Sequence, residues 1–200
     1  MISRGMKMRR ILCAVVIMLL ISQAAWSDDK NAAKELLVSK IDAALAVLKK
    51  KDLVQQEKNK KVIKIVEPMF DYNLMAKLTL GRKYWPGLSE KNKEKFTELF
   101  VDRLKNTYVD KLSLYTNEKV DYETPVQNGI KIQIPTKVIS KDKNFTMLYK
   151  LYRSSSGWKI YDIEIEGVSL ISTYRSQFND ILSKGTIDDL LSKLEKPETK

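Results

Sequence analysis

The sequence predicts an α+β domain, and two observations carry that expectation. Apolar residues recur every three or four positions from Ala33 to Tyr115, then at every second position within short runs between Lys119 and Glu166. A period near 3.6 marks helices that bury one stripe, and a period of two marks strands that bury one face. The helical half precedes the strands instead of alternating with them. The expected architecture is therefore an antiparallel meander of about four strands with helices packed against it, rather than a series of βαβ units.

Each element follows from local residues. Ala33, Leu36, Leu37, Ile41, Ala44, Leu45 and Leu48 form one apolar stripe, closed by Lys49-Lys50-Lys51, where the helix dipole favours cations. A second helix is expected over 58–66, ahead of Pro68. Asp71 suits the N-cap of a short helix over 72–80, with Gly81 as its stop. After the Pro86-Gly87 turn, Ser89 caps a long helix with the stripe Phe96, Leu99, Phe100, Leu104, Tyr108, Leu112 and Tyr115. Strands are expected over 119–123, 130–134 (continued over 137–140 beyond Pro135), 145–152 and 158–166, with a hairpin turn at Ser154-Ser155-Ser156-Gly157. Gly167 ends the sheet. A helix over 168–183 stops at Gly185, and Thr186 caps a last one over 187–194.

The first 27 residues read as a cleavable export signal. Arg4, Lys7, Arg9 and Arg10 precede an apolar run of 11 residues, Ile11 to Ile21, and Ala25-Trp26-Ser27 offers small residues at the −3 and −1 positions. A membrane span needs about 20 apolar residues. A lipid-attachment site would want a small residue before Cys13, where Leu12 stands. Cleavage would leave a single domain over 28–200. Its formal charge falls from +11 by the four cations removed, to near +7, and the sole cysteine goes with the signal. Such a domain has no disulfide and depends on its own core. Export argues against a nucleic-acid partner. The remaining basic charge fits a solvated lysine face, an anionic membrane surface or an acidic protein partner.

Several chemistries are excluded or weakened. The chain has no histidine, the commonest general base and metal ligand, so zinc and copper sites are not expected. No nucleophile elbow, phosphate-binding glycine loop or dinucleotide fingerprint occurs. Asp162, Glu164 and Glu166 stand two apart on the last strand, opposite Tyr161, Ile163 and Ile165. A polar strand face explains them more simply than a catalytic carboxylate does, although Asp162 or a neighbour is what an enzyme in this fold would use as base.

Four pieces carry a resemblance. They are Phe70-Asp71-Tyr72-Asn73-Leu74-Met75-Ala76; Leu80-Gly81-Arg82-Lys83-Tyr84-Trp85 with Leu88-Ser89; Phe96-Thr97-Glu98-Leu99-Phe100 with Leu104 and Tyr108; and Gly157-Trp158-Lys159-Ile160-Tyr161-Asp162-Ile163 with Glu166-Gly167-Val168-Ser169-Leu170 and Tyr174-Arg175-Ser176-Gln177-Phe178. In this order, over about 34–194, they resemble the MlaC family, periplasmic phospholipid carriers also known as toluene-tolerance or ABC-transporter auxiliary proteins. The resemblance implies a nuclear transport factor 2-like fold, a curved sheet and helices around an apolar cavity. It also implies a monomer without a cofactor, carrying phospholipid as cargo. Its partners would be an outer-membrane lipoprotein complex and an inner-membrane ABC transporter with an MCE-domain subunit, in the upkeep of outer-membrane lipid asymmetry.

The residues can supply a lipid lining, although an ordinary core has the same pattern. Candidates are Ile130, Ile132 and Ile134 on one strand; Met147, Tyr149 and Leu151 on the next; Ile163 and Ile165 on the last; Val168, Leu170 and Tyr174 after it; and Phe100, Leu104 and Tyr108 on the long helix. Met69, Met75 and Met147 are compatible with a pliable wall. Arg175 is the head-group candidate, since guanidinium suits phosphate oxygens, with a structural salt bridge to Asp162 or Glu166 as the alternative. Apolar walls discriminate poorly between tails, so a hopanoid or isoprenoid cargo fits the same pattern. An adaptor without ligand, with a filled core, would fit it too.

Overall fold

A computed structural model describes residues 29–109, 118–140 and 144–196. The expected signal over 1–27, with Cys13, and the end of the long stripe at Leu112 and Tyr115 lie outside these residues. The helices are α1 over 29–48, α2 (Gln55–Val66), α3 (Tyr72–Tyr84), α4 (Glu90–Val109), α5 (Leu170–Leu182) and α6 (Ile187–Glu195). The strands are β1 (Lys119–Tyr122), β2 (Val126–Asn128), β3 (Lys131–Ile139), β4 (Asn144–Ser154), β5 (Gly157–Ile165) and β6 (Val168–Ser169). They form one antiparallel sheet in the order β1-β3-β4-β5-β6, with β2 beside β1 on the same edge of β3. The two strands beyond the expected four are β2 and β6, three and two residues long.

The caps form as the sequence requires. The Asp71 carboxylate accepts from Leu74 N at 2.8 Å, Ser89 Oγ from Asn92 N at 3.2 Å, and Thr186 builds a capping box with Asp189. Gly81, the expected stop of α3, instead makes a kink at φ 64°, after which the helix resumes to Tyr84. The freed carbonyl of Leu78 accepts from Arg175 Nε and Nη2 at 2.9 and 2.6 Å.

Two cores result. α3, α4, α5 and α6 pack around Phe96, Phe100, Tyr174 and Phe178, whose rings meet edge to face between α4 and α5: Phe100–Tyr174 at 5.3 Å and 87°, Phe96–Phe178 at 5.5 Å and 83°. The second core sets Ala33 and Leu37 of α1 and Met69 against Ile132, Ile134, Leu151, Trp158 and Ile160 of the sheet.

Pro135 lies mid-strand in β3, which has neighbours on both sides. Its carbonyl accepts from Glu123 N at 3.0 Å, so its nitrogen faces the same side. There the chain has left the sheet between β1 and β2, and no ladder bond needs the missing N–H.

The alternation expected along β5 breaks at Tyr161. Lys150 pairs with Asp162 while Leu151 pairs with Ile160, leaving Tyr161 as a bulge. The bulge shifts the parity, so that Ile163 and Ile165 share the inner face with Ile160 and Trp158, and Tyr161 does not. Val168 does not open α5. Glu166 and Gly167, at φ 51° and 77°, form a two-residue turn that returns Val168 antiparallel to Ile165. Val168 is left 59% exposed, and Ser169 becomes the α5 cap. Ile130 sits in the Gly129–Ile130 turn and is 64% exposed.

Asp162 is buried at this junction. Oδ2 accepts from Ser169 Oγ at 2.7 Å and Lys150 Nζ at 3.1 Å, and Oδ1 accepts from Ile171 N at 3.2 Å. Lys150 also pairs with Glu164. The Asp162→Ala substitution takes one of its two carboxylate partners from the half-buried Lys150 and leaves the Ile171 N–H and the Ser169 hydroxyl without their acceptor. It should lower unfolding stability by about 2–4 kcal/mol, and Ser169→Ala by about 1 kcal/mol. Urea unfolding followed by circular dichroism measures both, and an Asp162→Ala loss well below 1 kcal/mol would reduce the clasp to a minor contact.

Candidate functional site

Between the two cores the side chains do not close. An apolar cavity of about 330 Å³ remains, walled on one side by the sheet face and on the other by α1, α2 and α4. α1 contributes Leu37, Ile41, Ala44, Leu45 and Leu48, and α2 contributes Val62, Ile63 and Val66. Met69, Phe70, Tyr72 and Met75 line it from the segment that enters α3; Leu104, Lys105, Tyr108 and Val109 from α4; Met147, Tyr149, Ile160, Ile163 and Ile165 from the sheet; and Leu170 from α5. Among these lining residues Lys105 alone is charged.

Backbone bonds fix two sides of this space. Phe70 bridges in parallel to Ile160, and Asp71 N donates to Ile160 O at 2.9 Å. Tyr152 Oη donates to Asp71 Oδ2, and Lys159 Nζ to Pro68 O at 2.7 Å. Phe70 and Tyr72 stack at 5.4 Å and 8° over this seam.

The family model described as "MlaC protein" matches residues 39–196. The chain belongs to the MlaC family. An intermembrane phospholipid transport system binding protein MlaC from Haemophilus influenzae is 29% identical over 118 residues, 56% of this chain and 55% of that protein. The chain thus spans about half the length of this curated relative. A solved structure of a phospholipid-binding protein from Ralstonia solanacearum, in complex with a phospholipid, aligns with a TM-score of 0.74 at 25% identity, over 82% of this chain and 94% of that one. The fold is the α+β, nuclear transport factor 2-like arrangement that the resemblance implied. No helix among the described residues is long and apolar enough to cross a membrane, and none of their His, Cys, Asp or Glu residues gather in threes to hold a metal.

In this MlaC-family chain, seven of the sequence candidates meet at the cavity: Leu104, Tyr108, Met147, Tyr149, Ile163, Ile165 and Leu170. Met69, Met75 and Met147 all lie on its wall. The other candidates are placed elsewhere. Phe100 and Tyr174 are consumed by the helical core, and Ile132, Ile134 and Leu151 are covered by α1 in the sheet core. Ile130 and Val168 occupy turns or edges facing water. Arg175 holds the Leu78 carbonyl, and neither Asp162 nor Glu166 is its partner at that contact.

Sequence reasoning missed the α1–α2 wall and Lys105. The α1 stripe was visible, but nothing in it says that its C-terminal half faces a space rather than a partner. α2 does carry an apolar stripe, Val62, Ile63 and Val66, which could have suggested it. At the cavity edge, Lys105 Nζ lies 2.6 Å from Glu67 Oε1 and 5.9 Å from the centre of the Tyr72 ring. Burial, and secondarily the Glu67 charge, raises the Tyr72 phenol to about 12.

Tyr149 lines the cavity, and burial raises its phenol to about 12. An unfolded tyrosine ionises near 10. The folded state keeps a proton that the unfolded state releases, so this contribution is full below pH ~10 and fades as the pH rises toward ~12. The urea midpoint should therefore fall between pH 9 and pH 11.5, and Tyr149→Phe should flatten part of that fall. Identical pH profiles for the two proteins would exclude Tyr149 as a source.

Proposed function

We propose that this chain is a soluble periplasmic carrier that shields phospholipid acyl chains in the cavity between α1, α2, α4 and the sheet. The observation that carries the reading is the cavity, lined by apolar and aromatic side chains apart from Lys105 and about 330 Å³ in volume, inside the range of roughly 300–1,000 Å³ typical of ligand sites. Each CH₂ moved out of water is worth about 0.8 kcal/mol, so two acyl chains represent on the order of 20 kcal/mol. Only a continuous apolar wall offsets that, while the head group can stay at the mouth in water. The phospholipid transport and binding functions named for the relatives from H. influenzae and R. solanacearum support the same conclusion.

The wider role follows from this reading. Residues 1–27 act as a cleaved export signal and leave a cysteine-free domain over 28–200. That domain ferries lipid between an outer-membrane lipoprotein complex and an inner-membrane ABC transporter with an MCE-domain subunit. It acts as a binder rather than an enzyme: Asp162, the candidate base, is away from the cavity wall and its oxygens are taken by Ser169, Lys150 and Ile171.

Protein purified from a bacterial host should release phospholipid on denaturing extraction and should take up labelled phospholipid from vesicles. Ile41→Trp and Val66→Trp, which fill the cavity from its two outer helices, should cut uptake at least tenfold while the circular dichroism spectrum is retained. Val126→Trp, on an exposed edge strand, should take up lipid like the parent protein. Mass spectra without phospholipid, together with no uptake, would overturn the proposal.

A further inference from the structure

Lys105 stands in an otherwise uncharged wall. An ammonium there loses hydration and needs a partner. Glu67 supplies one at 2.6 Å, and the Tyr72 ring face lies 5.9 Å away. One of the three ammonium donors is used by Glu67, which leaves capacity for a second anion. Glu67 is not part of the lining, and its side chain is more exposed than that of Lys105, 44% against 29%. Passing outward from the cavity, the order is apolar wall, cation, anion.

A zwitterionic phospholipid presents the complementary order along its own length: acyl chains, phosphodiester anion, then a terminal amine cation. We propose that Lys105 and Glu67 form a head-group site selecting phospholipids with a cationic amine over anionic ones, with Lys105 on the phosphate and Glu67 on the amine. The inference rests on the lipid-binding reading above and adds a specificity to it. An anionic lipid such as phosphatidylglycerol satisfies Lys105, but sets its phosphate beside a Glu67 carboxylate that nothing on the lipid neutralises. Both side chains keep contact with water, so the pair can open to admit a ligand without stranding a buried charge. The guanidinium of Arg175 is turned to the Leu78 carbonyl and does not line the cavity.

The test loads delipidated protein from vesicles holding equal amounts of phosphatidylethanolamine and phosphatidylglycerol with identical chains. The bound lipids are then counted by mass spectrometry. The parent protein should enrich the ethanolamine lipid about threefold to fivefold, the weight of a partly exposed charge pair. Glu67→Gln should move the bound ratio toward phosphatidylglycerol by a similar factor, and Lys105→Gln should reduce loading of both lipids. Thermal unfolding of each variant reports whether it is folded. A parent ratio equal to that of the vesicle, or a Glu67→Gln ratio equal to the parent's in folded protein, overturns the head-group site while leaving lipid binding intact. No loading of either lipid overturns the lipid-binding reading and this inference with it. Glycerophosphoethanolamine, the same head group without tails, should not compete at millimolar concentration. Competition would make this a site for soluble phosphodiesters instead.

Discussion

The carboxylate of Asp162 is the interaction on which the arrangement around the cavity depends. It joins three elements at one buried point: the β5 strand that carries it, Lys150 of β4, and the first turn of α5 through Ser169 and Ile171. A buried carboxylate is tolerated only when its oxygens are occupied, and here donors from three residues occupy them. The clasp fixes where α5 leaves the sheet, and so where Leu170 enters the cavity wall and where Tyr174 and Phe178 meet α4. A second tie, from Asp71 N to Ile160 O, fixes α3 against the same strand. β5 is thus held by backbone-directed bonds to two helical segments, while α2 closes the opposite wall with apolar side chains.

The cavity is a consequence of how two cores share one sheet. Near the Ile132–Leu151–Ile160 end of the sheet, the N-terminal half of α1 lies on it and the packing is closed. Near the Met147–Ile165 end, the facing helices are α2 and the C-terminal half of α1, whose Ala44, Leu48 and Val62 pack mainly among themselves. The Tyr161 bulge completes this geometry. Without the parity shift, Tyr161 would point inward in place of Ile160, and the wall would carry an extra phenol where it now has an aliphatic chain.

Much of this was legible in the residues. Period changes located the helices and strands, and Asp71, Ser89 and Thr186 announced their caps because a side-chain oxygen before an apolar stripe has few other uses. Three things were not legible, each for a physical reason. The Tyr161 bulge hides inside an unbroken β-type run, so alternation counted from Trp158 would turn Asp162 and Glu164 inward and leave Ile163 and Ile165 on the outer face. Ile132 and Leu151 are as apolar as Ile163 and Met147, and only the position of α1 above them separates core from cavity. Lys105 follows Leu104 on a helix rich in lysine, and what sets it apart, a place on the cavity wall beside Glu67, depends on a residue 38 positions earlier and on elements far along the chain.

The edges of the sheet bear on how the molecule behaves among its own copies. An open strand edge recruits other strands, and a protein with an accessible apolar cavity already has one inducement to self-associate. On one side, β5 is covered at Ile160 by Phe70 and at Glu164 and Ile165 by the two residues of β6. On the other, the strand beside β3 is split into β1 and β2 by the segment containing Pro125, so neither piece offers a long ladder. The fold therefore withholds its backbone from intermolecular sheet formation, and leaves side-chain recognition as the route by which other molecules engage it.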